Sequence, residues 1–319
     1  MARSCLVEHV PRLWALWAAS RPSQLALIGL LYALGIGMTT TGPPLIAGEA
    51  TVNALEDVAA PGFSIRVVTG AVALFAVAVA IHYANEYADA DTDALTDPTP
   101  FSGGSGALVE TGLPATFLRF AMAAAVAIAV GVTLIGYAFG VLPLDAVGIL
   151  FVGLVAGIAY SLPPVSLVRR GVGEPVNMVL GGLLLPVYGV AVVATPTVVT
   201  ALALVPFTLV VGCNLLAVHW PDRNADEAVG KRTLAVRWTP SGLRRSFVIL
   251  ATLAASSTVS LWWSGVFPDA LALAHLAPVG FLVWGWATLT RQRSPLPAVA
   301  AMVALAVAAT AAWWWVGLY

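Results

Sequence analysis

The sequence is poor in the residues that soluble and disulfide-bonded proteins use most. Only 10% of its 319 residues are charged, whereas soluble domains carry about 25%, so an ordinary soluble domain is excluded. Cysteine occurs only at Cys5 and Cys213, too rarely for a disulfide framework or a cysteine metal site. Lysine occurs once, at Lys231, and a formal net charge of −1 gives no basis for binding nucleic acid.

Apolar residues, by contrast, make up 60% of the chain. They form continuous runs of about the 20 residues that a membrane-spanning helix needs. Such runs exclude a β-barrel, whose strands alternate in polarity. We therefore predict an all-α bundle of about nine transmembrane helices in one domain over residues 1–319. The predicted spans are 24–46, 66–84, 116–141, 145–161, 176–194, 198–219, 246–266, 270–289 and 296–318.

Basic residues are distributed asymmetrically along the chain. Fourteen of the fifteen lie in the N-terminal segment or after the second, fourth, sixth and eighth runs, and only Arg66 lies on the other side. Because basic loops stay in the cytoplasm, we predict a multi-pass protein of the cell membrane with a cytoplasmic N-terminus and an external C-terminus. Two charged segments, 85–113 and 219–245, then share the cytoplasmic face.

Carboxylates in these two segments recur at helical spacing. In the stretch NEYADADTD, the residues Asn85, Asp89 and Asp93 are spaced i, i+4, i+8 and share one face if the preceding helix continues. Asp222 and Asp226 repeat the i, i+4 spacing. Two facing carboxylate pairs predict a hard-oxygen site for Mg²⁺, which bridges carboxylates to a substrate's phosphates.

Three other interpretations of these acidic residues fit the sequence less well. A solvated loop would not require regular spacing in two segments. An EF-hand needs Gly at position six and Glu at position twelve, where this chain has Ala94 and Pro100. The Asp-Gly-Ala-Arg pattern of CDP-alcohol transferases is absent.

Four stretches resemble motifs of the UbiA superfamily of intramembrane prenyltransferases. NEYADADTD resembles its first aspartate-rich motif, Asn-Asp-x-x-Asp-x-x-x-Asp, and DRNADEAVGKRTLAVR resembles its second, Asp-x-x-x-Asp before Gly-Lys-x-Thr-Leu. SRPSQL resembles the start of its first helix, and AYSLPPVSLVRRGVGE its tyrosine-bearing loop after helix four. In this order, the four cover most of the chain.

The resemblance implies a mechanism and a role for each matching residue. Two Mg²⁺ ions hold the diphosphate of a polyprenyl donor, its allylic C–O bond ionises, and an electron-rich acceptor captures the cation. Arg21 and Lys231 are implied to hold the diphosphate, and Tyr160 to stabilise the cation or orient the diphosphate. The four motif aspartates act in catalysis. The implied metal ligands are Asn85, Asp89, Asp93, Asp222 and Asp226.

The chain also departs from the family pattern. Glu86 stands where the family has aspartate, and no basic residue lies between Arg66 and Arg119, so the family's Arg-Pro loop is missing. Ser102, Ser105 and backbone N–H groups of the Gly-rich turn are candidates for contacting the diphosphate instead. Arg232 is a further candidate, because guanidinium groups bind phosphate oxygens well.

The acceptor is expected to be aromatic. The stretches GVGE and VGKRTLAVR are most similar to the branch that prenylates 1,4-dihydroxy-2-naphthoate on the way to menaquinone, and Glu174 is a candidate for binding this acceptor. Transfer of a geranylgeranyl group to a glycerol-phosphate ether lipid and prenylation of 4-hydroxybenzoate remain alternatives.

A membrane transporter is the alternative from another functional class. Transporters carry acidic residues inside their spans and often contain inverted repeats. Here the acids cluster at the cytoplasmic ends of the spans, which favours an enzyme acting on amphiphilic diphosphates at the bilayer surface. A catalytically inactive scaffold is expected to lose one motif, and both are present.

Overall fold

The structure is a computed structural model that describes residues 9–40, 61–93, 95, 101 and 104–318. All regular secondary structure in these residues is helical. A 3₁₀ turn covers Leu167–Arg170, and a π-helical segment covers Leu180–Leu184. The α-helices are α1 (Pro11–Ala19), α2 (Pro22–Gly37), α3 (Pro61–Ala88), α4 (Ala90–Asp93), α5 (Ala107–Thr111), α6 (Thr116–Ala138), α7 (Leu144–Ser161), α8 (Gly173–Val179), α9 (Leu185–Val193), α10 (Val198–Ala203), α11 (Val205–Val218), α12 (Arg223–Ala228), α13 (Leu234–Arg237), α14 (Pro240–Trp263), α15 (Asp269–Ala274), α16 (Val279–Thr288) and α17 (Leu296–Leu318).

The all-α prediction is confirmed, but the count of nine spans is not. Seven helical segments in the described residues are long and apolar enough to cross a membrane, whereas α2 and α11 are apolar but shorter. The predicted span 198–219 is divided at Leu204, where Pro206 lies in the first turn of α11. Proline is tolerated in a first turn but not inside a helix, which accounts for the division.

Helices α2 and α9 cross in backbone contact at the centre of the bundle. A Cβ atom at Gly35 would overlap with the Pro186 carbonyl, and one at Gly189 would overlap with the Tyr32 carbonyl. Small residues are the usual means by which membrane helices approach this closely. The ring of Tyr32 stacks on that of Tyr188 with 5.7 Å between centroids, so the crossing is a fixed seam.

The same two tyrosines attach the seam to α3. The Tyr32 hydroxyl donates to the Val67 carbonyl and the Tyr188 hydroxyl to the Gly70 carbonyl, each at 2.9 Å. These bonds satisfy polar atoms inside an apolar bundle, where an unpaired hydroxyl is costly. They fix the position of the helix that leads into the first acidic segment.

Both acidic segments keep helical hydrogen bonding. The Asp89 N–H donates to Asn85 O at 2.9 Å and the Asp93 N–H to Asp89 O at 2.8 Å, so the turn pattern of α3 continues into α4. The Asp226 N–H donates to Asp222 O at 2.9 Å. The predicted continuation of the helix beyond Tyr83 is thus confirmed, and each motif presents its acids on one face.

The α2–α9 seam generates a stability prediction. We expect Gly189→Ala to lower the free energy of unfolding in detergent by about 1–3 kcal/mol, the usual cost of overpacking, because its methyl group meets backbone that cannot rotate away. Gly131→Ala in α6 is the matched control, since nothing lies within 4 Å of its Cβ position, and alanine there favours the helix. Equal unfolding midpoints for the two variants would contradict the close crossing.

Candidate active site

One large cavity collects the acidic segments at its polar end. Its volume is about 1430 Å³, and its body is lined mainly by apolar side chains of α2, α3, α7, α9, α11 and α17. Most of the site residues predicted from the sequence line it. They are Arg21, Asn85, Asp89, Asp93, Ser105, Tyr160, Asp222, Asp226 and Lys231.

Lys231 joins the two acidic segments. Its Nζ lies 2.9 Å from Asp89 Oδ1 and 3.4 Å from Asp226 Oδ1, and the residue is only 7% exposed. Burial by itself lowers the pKa of an ammonium, but the two carboxylates outweigh burial and raise the pKa of Lys231 above its usual value. Lys231 is therefore charged at neutral pH and neutralises carboxylates from both motifs.

Negative charge remains concentrated around the first motif. Burial, together with the nearby charges of Glu86 and Asp89, raises the pKa of Asp93 to about 7. Asn85 Nδ2 donates to Asp89 Oδ2 at 3.0 Å, which orients that carboxylate. Gly104 has φ +75°, and a Cβ atom there would overlap with the Asp93 carboxylate, so only glycine lets the loop backbone approach so closely.

The contacts of Glu86 account for a glutamate where the family has aspartate. Its Oε1 accepts from Arg21 Nε at 2.9 Å and Nη2 at 2.6 Å, and its Oε2 accepts from the Ser105 hydroxyl at 2.6 Å. The residue is 2% exposed. Glu86 therefore holds three parts of the site together: the α1–α2 corner, helix α3 and the Gly-rich loop. The longer glutamate arm turns away from the Asn85–Asp89–Asp93 face and reaches both partners.

Three predicted substrate-binding residues are placed elsewhere or lie outside the description. Arg232 is exposed and does not line the cavity, because the chain turns Lys231 and Thr233 inward around it. Ser102 lies outside the described residues. Glu174 is 4% exposed but sits behind the cavity wall, where it accepts from the Leu234 N–H at 2.5 Å and contacts His219.

Asn214 and His219 are polar residues that line the cavity but were not among the predicted site residues. Asn214 is 8% exposed, lines the cavity, and its Oδ1 has no hydrogen-bond partner within the part of the chain that the structure describes. It precedes Asp222 by eight residues, so the i, i+4, i+8 rule used for the first motif would have found it. His219 also lines the cavity. Its sequence position, at a helix end just before the second motif, is compatible with a place in the site but also with an interfacial histidine that has no role.

The donor chemistry of the polar end fits a hard divalent cation. Carboxylate and amide oxygens of both motifs line one wall region, and Asp93 sits among like charges that a cation would neutralise. In the described residues no three acidic, histidine or cysteine side chains are already gathered around one metal position. Asp89 and Asp226 contact the Lys231 ammonium instead.

The sequence matches the profile of the UbiA prenyltransferase family over residues 42–315. The chain belongs to this family. It is accordingly a prenyltransferase and a multi-pass membrane protein. No protein of curated function matches the sequence significantly.

Solved structures of UbiA homologues share the fold. A homologue from Archaeoglobus fulgidus bound to GPP and Mg²⁺ has a TM-score of 0.61 at 14% identity, over 96% of this chain and 100% of that one. An apo homologue from Aeropyrum pernix K1 has a TM-score of 0.63 at 14% identity, over 90% and 95%. A digeranylgeranylglyceryl phosphate synthase has a TM-score of 0.61 at 12% identity, over 96% and 99%.

The Glu86 link generates a further prediction. We expect Glu86→Gln to lower the free energy of unfolding by about 2 kcal/mol, less than the 3–5 kcal/mol of a fully buried ion pair, because the Arg21 side chain is 22% exposed. Prenyl-transfer activity should fall with it, since Arg21 and the Gly-rich loop lose their common anchor. Unfolding midpoints and initial rates give the readout. Glu227→Gln, at an exposed position, is the control, and equal loss in both variants would refute the anchor.

Proposed function

We propose that this enzyme transfers a polyprenyl group from a polyprenyl diphosphate to 1,4-dihydroxy-2-naphthoate, using Mg²⁺. The observation that carries the proposal is the meeting of both acidic motifs and Lys231 at one end of a long apolar cavity. A polyprenyl diphosphate has the matching shape and polarity, with two phosphates on one end of a hydrocarbon chain.

The size of the cavity supports two substrates at once. Its volume of about 1430 Å³ exceeds the 300–1,000 Å³ that is usual for pockets binding a single drug-sized ligand. The apolar side chains of the body would hold the prenyl tail. Tyr160 lines the same cavity as the carboxylates, where its ring would stabilise an allylic cation by a cation–π contact.

The carboxylates would hold Mg²⁺, and we propose two ions. The residues with suitable oxygens are Asn85, Asp89, Asp93, Asp222 and Asp226. Bound Mg²⁺ neutralises the diphosphate and makes it a better leaving group. A homologue with the same fold has been solved with GPP and Mg²⁺, which supports the assignment.

The chain's own cations would hold the leaving diphosphate. The Lys231 ammonium has three donors, and it can turn from Asp89 and Asp226 toward phosphate oxygens once a divalent cation neutralises these carboxylates. Arg21 lines the cavity while Glu86 fixes its orientation. Ser105 lines the cavity beside them, but its backbone N–H and its hydroxyl both donate to Glu86, so it supports the position of Arg21; Ser102 lies outside the described residues.

The charge inventory of the cavity favours an acceptor with a single anionic group. Arg21 and Lys231 are the basic residues among the described side chains that line it, and both are needed for the diphosphate. Arg169 and Arg170 donate to the carbonyls of Val229 and Pro164 at the surface. A glycerol phosphate would bring a second phosphate without further cations to bind it. 4-Hydroxybenzoate has the right charge and remains the second candidate, while the resemblance around Glu174 favours the naphthoate.

The site is proposed to face the cytoplasm, with the C-terminus external. The basic asymmetry of the loops supports this orientation. Both acidic segments also emerge at the same end of the bundle, since α12 packs against α4.

The metal assignment predicts the effect of removing one ligand from each motif. We expect Asp89→Ala and Asp222→Ala each to lower transfer at least 100-fold in protein that remains folded, because each variant removes charge that the diphosphate complex requires. Asp89→Ala should also lower the unfolding midpoint, since the buried Lys231 loses one of its two carboxylate partners. Excess chelator should lower transfer by the wild type to the same extent. Added Mg²⁺ should restore transfer by the wild type but not by the two variants. Full activity of either variant, or full activity of the wild type in excess chelator, would exclude a metal site built from both motifs.

The acceptor is tested by the product. Purified enzyme, Mg²⁺ and a labelled polyprenyl diphosphate are incubated with 1,4-dihydroxy-2-naphthoate, 4-hydroxybenzoate or a prenylated glycerol phosphate, and products are identified by mass. We expect a C-prenylated naphthoquinol that has lost its carboxylate as carbon dioxide. A prenyl ether of the glycerol phosphate, with no turnover of the naphthoate, would assign the enzyme to ether-lipid synthesis instead.

A further inference from the structure

A buried carboxylate–imidazole pair lies at the polar end of the cavity, and the proposed metal and diphosphate chemistry does not use it. His219 Nδ1 is 3.2 Å from Glu174 Oε1. Glu174 belongs to α8, and His219 follows the last residue of α11. His219 lines the cavity whereas Glu174 does not, so the carboxylate stands behind the imidazole as seen from the cavity.

The carboxylate is itself held in place. Glu174 Oε1 accepts from the Leu234 N–H at 2.5 Å, at the start of α13, three residues after Lys231. This backbone bond means that the second motif positions Glu174, and Glu174 positions His219. The Nδ1–Oε1 pair is close but does not meet hydrogen-bond geometry, so a small turn of the ring is needed to align the Nδ1–H with Glu174. An imidazole that has a carboxylate beside one nitrogen and belongs to a residue lining a cleft is arranged as a general base.

We propose that His219 is the base that takes the hydroxyl proton of the aromatic acceptor, and that Glu174 is its positioning residue. The inference rests on the proposed function, because only an acceptor with an acidic hydroxyl requires a base. Glu174 next to Nδ1 keeps the proton of the neutral ring on that nitrogen. The lone pair is then on Nε2, the nitrogen that Glu174 does not contact.

The charges around the ring support this role. The groups that act on His219 are Glu174, Asp226 and Lys231. Burial and Lys231 lower the pKa of the imidazole, but Glu174, with help from Asp226, outweighs them, so the pKa lies above its ordinary value. The neutral ring is therefore a stronger base than free imidazole, and it works at a pH near or above its pKa, where Nε2 is unprotonated.

The proton transfer balances with the prenyl transfer. The acceptor's O–H proton moves to Nε2, and the electron pair of the O–H bond is released into the ring. The adjacent carbon that bears the carboxylate then forms the C–C bond to the prenyl group. The prenyl C–O bond breaks and its electron pair leaves on the diphosphate. The ring is then a ketone, and loss of the carboxylate as carbon dioxide restores an aromatic oxyanion that takes the proton back from His219.

His82 is the nearest rival, since it also lines the cavity. Its Nδ1 is 2.8 Å from the Ser20 carbonyl oxygen, so a neutral group, not a carboxylate, stands behind it. His82 is thus the matched control: a buried histidine of the same cavity without the acidic partner.

The test compares His219→Asn with His82→Asn, because asparagine keeps a donor near the position of Nδ1 but has no base in place of Nε2. We expect His219→Asn to lower transfer to the naphthoate by about 10²–10⁴-fold, and His82→Asn by less than tenfold. Thermal stabilisation by a non-ionisable polyprenyl thiolodiphosphate with Mg²⁺ should be the same in both variants and the wild type, since the donor site is intact.

The pH profile separates a base from a structural residue. In the wild type, kcat/KM should fall as the pH drops through the pKa of His219, and His219→Asn should lack this limb. Glu174→Gln should shift the limb to lower pH, because the imidazole loses the charge that raises its pKa, and Glu174→Asp should shift it less. An acceptor analogue whose hydroxyl is already ionised at the assay pH should restore much of the rate of His219→Asn.

Three outcomes would overturn the inference. The first is wild-type transfer and an unchanged pH profile in His219→Asn. The second is loss of donor stabilisation together with transfer, which would assign His219 a structural role. In the third, the wild type turns over none of the hydroxylated aromatic acceptors, so that the proposed function itself fails and the base has no substrate. Turnover of 4-hydroxybenzoate but not the naphthoate would correct the acceptor alone, and the same comparisons would then be made with 4-hydroxybenzoate.

Discussion

The Lys231 ammonium between Asp89 and Asp226 is the interaction on which the active site depends. Two acidic helices that approach within an apolar bundle would repel each other strongly, since water cannot screen charges there. A single buried cation, 2.9 Å from one carboxylate and 3.4 Å from the other, turns that repulsion into a link between sequence segments more than a hundred residues apart. It holds carboxylates of both motifs at the polar end of the cavity.

A second ion pair, between Arg21 and Glu86, lies in the same site. Arg21 neutralises Glu86, and Ser105 bonds the same carboxylate, so the Gly-rich loop is attached to the helix bundle without a basic residue of its own. Asp93 is left among like charges, and its raised pKa reflects that excess. The protein thus supplies cations for some of its acids and leaves the rest for a divalent metal and a diphosphate, which cancel each other's charge only when both are bound.

Periodicity in the sequence was sufficient to predict the helical class and the inward faces of both motifs. The i, i+4, i+8 spacing of Asn85, Asp89 and Asp93 specifies a face because α3 continues into α4 without a change of phase. Spacing does not show, however, which side chains contact each other across the fold. Nothing in the sequence indicates that Glu86 meets Arg21, that Glu174 turns its carboxylate to His219, or that Arg232 points away from the cavity beside Lys231. Hydropathy also gave no sign of the division at Leu204, inside the predicted span 198–219.

The fixed seam between α2 and α9 has a consequence for the order of events in the cavity. Close backbone contacts and two tyrosine hydrogen bonds hold α2, α9 and α3 together, so these three helices give the cavity a fixed wall. Under the proposed reaction, the ionic end is the only part of the donor that is gripped strongly, and this is the part that the chemistry removes. The lengthened quinol that remains has no charge to match the polar end and a long tail miscible with lipid. Under the same proposal, partition into the bilayer favours departure of the product, and the α2–α9 contact can stay closed while it leaves.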